Sequence, residues 1–197
     1  KFFSTGIVLV STQLVEDIST WTTAQNLAMR TASQRLSRIM NATWLPLLKT
    51  ALAANSSGVV AAAGSSIVAA DVFTLVGSVE ASYRASGQAA FLMSGAMQKA
   101  IGALVTSSGL QAFPHVLEAQ PTLLNYPAYV SSAASSTDIL FGDLSYAYSK
   151  SSPLQLKTLG NRFILDGYIG LLLGKRADFQ WSAPSTSDSP VKTLSFS

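Results

Sequence analysis

Cysteine is absent from the 197 residues, which excludes disulfides and thiolate metal sites and leaves no argument for secretion. Histidine occurs once, at His115, in a loop flanked by proline. No G-x-S-x-G elbow accompanies it, so a serine hydrolase triad has no sequence support, and His115 reads as a solvent-facing or interface residue. Charge is scarce too. Charged residues make up 12% of the chain, about half the usual share, against 48% apolar residues. So much uncharged surface must be buried against other chains or meet lipid. A net charge of +3 is too small to mark a nucleic-acid reader.

The lipid reading has one candidate, Gly58 to Val79, with a single charge at Asp71. It is rich in Ala, Gly and Ser, and no Lys or Arg lies close to either end to set an orientation. A break near Ser65 and Ser66 followed by an ordinary helix accounts for it better. The start of the chain, FFSTGIVLV, reads as a strand, since no basic segment and cleavage site flank it, and upstream residues are expected before Lys1. Asn41-Ala-Thr43 and Asn55-Ser-Ser57 match the glycosylation pattern only by chance in that setting. Gly170 to Arg176 has the outline of a phosphate-binding loop but fails twice. Ile169 stands where the first glycine is needed, and Arg176 where a hydroxyl should hold magnesium. A strand with two glycines is the better reading. Asp138, Asp143, Asp166 and Asp178 have no metal-cage spacing, and nothing calls for a cofactor.

What is present begins with a long amphipathic segment, Ser11 to Asn41. Leu14, Ile18, Trp21, Ala24 or Gln25, Ala28, Ala32, Leu36 and Ile39 recur at steps of three and four, the stripe of a helix. Ser11 or Thr12 can cap it, Glu16 and Asp17 suit its positive end, and Arg30, Arg35 and Arg38 lie towards its negative end. Neither Gly nor Pro interrupts it, and it would span roughly 45 Å, more suited to a beam than to core filling. Phe2 to Val10 is rich in β-branched and aromatic residues and delivers a strand into that helix. Pro46 predicts a turn after Asn41, followed by a short apolar segment.

Beyond a linker rich in small residues, Asp71 to Arg84 carries Val72, Leu75, Val76, Val79 and Tyr83 on one helical face. Ala89 to Met93 reads as a short buried strand. Ser94 caps a further helix with Met97, Ile101, Leu104 and Val105 on its inner stripe, closed by Gly109. Leu110 to Pro127, with three prolines, is the longest loop. Strands are expected at Ala128 to Ser131, Asp138 to Phe141, Tyr146 to Ser149, Leu154 to Thr158 and within Phe163 to Trp181. The last 16 residues are Ser-rich and expected to fray.

This order of motifs resembles the major capsid proteins of tailed bacteriophages with the HK-ninety-seven-type fold. The resemblance runs from about Val8 to about Trp181 and rests on the strand-to-helix step VSTQLVED, the stretch Tyr83 to Met93, Tyr126-Pro127 leading into a strand, and Phe141-Gly142-Asp143 before an aromatic strand. It implies an α+β fold with a long spine helix (about 12–41), a peripheral-domain sheet and a mixed axial domain. Residues 1–54 and 151–197 would form the peripheral domain, and 55–150 the axial domain. An N-terminal arm and most of an extended loop are expected upstream, the chain starting at the returning strand of that loop. The loop Gly109 to Gln120 would lie near a fivefold or sixfold axis, with Phe113, Pro114 and His115 as contacts. Lys157 to Phe163 would lie near a threefold axis, with Asn161 and Arg162 as contacts. Some relatives crosslink through a loop lysine and a peripheral asparagine. Here the loop is missing and Asp166 stands about where that asparagine would be, so no self-crosslinking is expected.

The resemblance implies a structural protein, not an enzyme. It would self-assemble as pentamers and hexamers into an icosahedral virion capsid around double-stranded DNA after assembly in the host cytoplasm. Scaffolding, portal and decoration proteins are further implied partners, with non-specific contact to packaged DNA and no membrane. Few charges and many small residues suit a subunit that buries surface against several neighbours. A nearly neutral inner wall would contain DNA without gripping it. An encapsulin-like shell enclosing a cargo enzyme is the alternative within the same fold. A hydrolase using His115 and a membrane protein are the rivals outside it.

Overall fold

A computed structural model describes residues 1–13, 21–54, 59–61, 66–159, 163–182 and 188–196. In chain order the elements are β1 (Phe2–Ser11), α1 (Trp21–Ala54), β2 (Val59–Ala61), α2 (Ala69–Ser78), α3 (Ala81–Arg84), β3 (Ala89–Met93), α4 (Gly95–Gly102), β4 (Thr122–Leu123), β5 (Tyr126–Val130), β6 (Asp138–Asp143), β7 (Ala147–Ser151), β8 (Gln155–Leu159), β9 (Tyr168–Trp181) and β10 (Val191–Ser195). The chain divides into two compact units. One comprises Lys1–Thr43 with Ser149–Phe179, the other Trp44–Tyr148 with Gln180–Ser197. The border between Thr43 and Trp44 falls inside α1.

The first unit is organised on β9, which is hydrogen-bonded to β1, β7 and β8. β1 runs antiparallel to it from Phe2 opposite Arg176 to Ser11 opposite Tyr168, with one irregularity between Ser4 and Ile7. Both glycines of the supposed phosphate loop lie in this strand, as expected. The ring of Phe2 lies close over Gly174, and that of Phe163 over Gly170. Val10, Leu171 and Ala28 of α1 form a buried cluster. After β1 the Ser11 hydroxyl accepts from the Gln13 amide at 3.2 Å. Leu14 and Ile18 of the expected stripe lie outside the described residues.

The long helix differs from expectation at its far end. Pro46 does not stop it, and α1 continues to Ala54. Proline removes one donor, to the carbonyl of Ala42, and that residue is exposed so water can take its place. In return the last turns bury Leu48 and Leu52, and this tertiary gain overrides the local preference. Buried positions recur every four residues, at Ala28, Ala32, Leu36 and Met40, then Leu48 and Leu52, while Ile39 is exposed. A step of four overshoots a turn by about 40°, so the buried stripe winds around the helix.

In the second unit six strands follow the order β2-β10-β6-β3-β5-β4. β3, read correctly as Ala89 to Met93, pairs antiparallel with β6, Phe91 facing Phe141. Their rings lie 4.4 Å apart, and Tyr126 of β5 completes the cluster at 4.9 Å from Phe141. Every residue of β6 is buried. The helix expected over Asp71 to Arg84 is two helices. Ser78 Oγ donates to the Leu75 carbonyl oxygen, and the Val79 amide turns to Val76, so the ladder breaks and buried Val79 leaves the helix. Strand and helix also split the supposed membrane segment. Among the described residues no helix is long and apolar enough to cross a membrane. Ser94 caps α4, accepting from the Met97 amide at 3.2 Å. Two residues with positive φ, Leu124 and Asn125, close the β4–β5 hairpin inside the stretch expected to be irregular.

The Ser-rich tail also departs from expectation. β10 lies inside the sheet, antiparallel to β6 and parallel to β2, with Val191, Thr193 and Leu194 buried. Gly142 makes its entry possible, because a Cβ there would lie 2.1 Å from the Pro190 carbonyl oxygen and 2.6 Å from Val191 Cα. Its φ of +146° is a second reason for glycine. At the other end of β6, Asp138 is buried and paired with Lys49 of α1. Burial alone would raise the Asp138 pKa, but hydrogen bonds from Lys49, Ser195 and Ser135, with the Lys49 charge, hold it below the ordinary carboxylate value.

Two outcomes follow. Gly142→Ala will cost at least about 3 kcal/mol by expelling β10, measured by chemical denaturation. Lys49→Met will cost about 1–3 kcal/mol at neutral pH, because the buried carboxylate loses its charged partner. Since the folded-state pKa of Asp138 is depressed, its contribution is complete above the unfolded value and lost as pH falls through the folded one. Lys49→Met removes the largest cause of that depression, so the stability gap between parent and variant should narrow as pH falls through this range, read from denaturant melts across pH.

Candidate functional site

Between α4 and β4 lies the stretch that carries three of the expected contact residues. α4 ends at Gly102, and the chain turns through a small hairpin in which Val105 bridges Gln111. The Thr106 amide donates to Leu110 O at 2.7 Å, the Ala112 amide to Leu104 O at 2.8 Å, and the Gly109 amide back to Thr106 O at 2.9 Å. Gln111 Nε2 donates to the Gly102 carbonyl at 2.7 Å and ties the hairpin to the helix end. The loop therefore has a fixed shape of its own.

After the hairpin come Phe113 and a 3-10 turn, Pro114–Leu117. Pro114 stands at the start of that turn, where a missing amide proton is harmless. Phe113 points inward: it is buried in the core and its ring lies 6.0 Å from that of Phe73. Val116 is the second inward peg, its carbonyl accepting from Gln98 Nε2 of α4 at 2.8 Å. Pro114 and His115 face outward. His115 Nδ1 lies 2.7 Å from Glu118 Oε1, an exposed pair three residues apart. Asn161 and Arg162 lie outside the described residues.

Three apolar residues of this stretch were not singled out as contacts. Leu110 is 70% exposed, Val105 64% and Leu117 52%. Leu117 also lies on the end of α4, where a Cβ on Gly102 would meet it at 2.7 Å. Val105 was expected on the inner stripe of the helix after Ser94, but that helix ends at Gly102 and leaves it exposed, while Leu110 and Leu117 fall in the stretch expected to be irregular. They form an apolar surface braced by the backbone bonds beneath it, suited to contact with another surface.

The sequence model described as the phage capsid family matches residues 7–186. The chain belongs to the phage capsid family. It is accordingly a structural protein of the virion capsid and not an enzyme. The capsid of an empty GTA particle computed with C5 symmetry superposes with a TM-score of 0.74 at 18% identity, over 100% of this chain and 72% of that one. Mycobacterium phage Cain gives 0.70 at 14% identity over the same shares. The holo-SrpI encapsulin complex from Synechococcus elongatus PCC 7942 gives 0.61 at 14% identity, over 99% of this chain and 73% of that one. No curated protein matches the chain significantly. These structural likenesses establish an α+β capsid fold of the HK-ninety-seven type, and the family makes this a major capsid subunit. A shell subunit of this family associates with copies of itself.

Phe113→Ala in this capsid subunit should lower its stability by about 3–5 kcal/mol, because a ring leaves the core. His115→Ala should change stability by less than about 0.5 kcal/mol. Thermal melting of the two variants separates the peg from the exposed face of the same loop.

Proposed function

We propose that this subunit tiles a closed icosahedral shell around double-stranded DNA, and that the loop from Val105 to Leu117 is where neighbouring copies meet around a fivefold or sixfold axis. The observation that carries this reading is the pairing of exposed apolar side chains with internal bracing. Val105, Leu110 and Leu117 are exposed, while hydrogen bonds to Gly102, Leu104 and Val116 fix the backbone beneath them. Apolar surface held in one shape loses little entropy on association, so its burial counts almost fully towards assembly. A patch repeated by rotation meets the neighbouring copy head to tail and closes into a ring. Pro114 and His115 belong to the same outward face, and Phe113 anchors it.

In this reading the first unit is the peripheral domain and the second the axial domain. Lys157 to Phe163 lies towards a threefold axis, where Asn161 and Arg162 take part in contacts. Scaffolding, portal and decoration proteins are partners in the same scheme. A cargo-filled compartment of the encapsulin kind is the second reading, supported by likeness of fold.

The test is a double variant, Val105→Lys with Leu110→Lys, expressed beside the parent and examined by negative-stain electron microscopy. The parent should form shells, and the variant should keep its melting behaviour but remain unassembled. Shells from the variant indistinguishable from the parent's would falsify the assignment of this loop. The ratio of absorbance at 260 and 280 nm in parent shells from infected cells separates DNA-filled capsids from protein-filled compartments.

A further inference from the structure

The net charge of +3 hides an uneven division. Nine of the thirteen Lys and Arg residues but only four of the ten Asp and Glu residues fall in the first unit, leaving it at +5 and the second unit at −2. The second unit does not present a matching acidic face. Asp71 accepts from the Val68 amide, Asp138 is paired with Lys49, Asp143 accepts from the Ser145 amide, and Glu118 lies against His115. The first three are also buried. In the first unit, among the described residues, no Lys or Arg side chain makes an ion pair.

Part of the excess gathers where β1, β7 and β9 come together. Arg176 of β9 lies opposite Phe2 of β1. Its amide donates to Ser152 Oγ at 3.0 Å, its carbonyl accepts from the Ser152 amide at 2.8 Å, and the next amide, of Ala177, donates to Lys1 O at 2.9 Å. Backbone bonds thus fix both sides of Arg176. Lys1, Lys150 and Arg176, all exposed, line one open recess of about 530 Å³ together with the edge of Phe2, Ser151 and a single acid, Asp178.

We propose that this recess binds backbone phosphates of double-stranded DNA, an inference that rests on the shell reading above and names the part of the subunit that touches the packaged molecule. Three cations gathered around one acid repel one another, and an arriving phosphate relieves that repulsion. Arg176 presents a planar fork of donors to phosphate oxygens, while Lys1 and Lys150 act as point charges. Ser151 adds a hydroxyl. Contacts of this kind position a duplex without reading its sequence, which suits a container that must accept any stretch of DNA. An acidic side chain of a neighbouring copy is the competing occupant. The second unit offers little to supply it, because four of its six acids are already engaged within the unit.

The experiment uses the full chain, as parent, as Lys150→Gln with Arg176→Gln, and as Asp178→Asn. Each is titrated with a short DNA duplex at several salt concentrations and viewed by negative-stain electron microscopy. Replacing two cations should reduce the slope of log affinity against log salt by about 1.8, at about 0.9 per phosphate contact. Asp178→Asn should tighten binding, and shells should form in all three. An unchanged slope with intact shells overturns the recess and leaves the shell reading standing. Loss of shells in the double variant with unchanged DNA affinity assigns the recess to contact between copies and also overturns the proposal. If the parent forms no shells the shell reading fails, and the titration still decides whether the recess binds DNA.

Discussion

The second unit depends on the backbone pairing of β6 with β3 on one side and β10 on the other. A strand buried along its whole length has no water to satisfy its amides and carbonyls, so both neighbours must be present and in register. That demand explains three otherwise separate features. Phe91 and Phe141 face each other because the register of β3 on β6 sets them there. Gly142 lacks a side chain because the chain at Pro190 and Val191 passes through the space a Cβ would take. Asp138, at the start of β6, is tolerated in a buried place because Lys49 reaches it from α1.

The same constraint shows what was legible in the residues. β3 could be read from AAFLM because a two-sided burial leaves a run of apolar residues with no alternation. The Ser94 cap and the β1 strand were legible because their causes are local. β10 was not, since VKTLS has little intrinsic strand signal and gains its place from β6 and β2. Pro46 misled in the same manner: proline argues for a turn locally, and burial of Leu48 and Leu52 decides otherwise. Ser78 worked in reverse, ending a helix whose apolar stripe continued to Tyr83.

The candidate site was legible in position and less so in orientation. A proline-rich stretch after α4 marked the loop, but nothing local says that Phe113 turns inward while Leu110 turns outward. That choice is made by Phe73, Val116 and the end of α4, which are distant in sequence or hidden in the loop's own hydrogen bonds. Charge was misleading in a different way. A small net value suggested an indifferent surface, whereas the two units carry opposite signs. Averages over a chain erase differences that only its folding into separate bodies makes visible.

The place of β10 in the sheet also sets a schedule. Among the described strands it is the last to be synthesised, yet it supplies one whole side of β6 and the sheet's only link to β2. Until residues 191–195 leave the ribosome, β6 has a single partner and β2 has none. A chain cut short before that point keeps an open apolar edge and cannot close this sheet. Formation of this sheet therefore waits on the segment that carries β10.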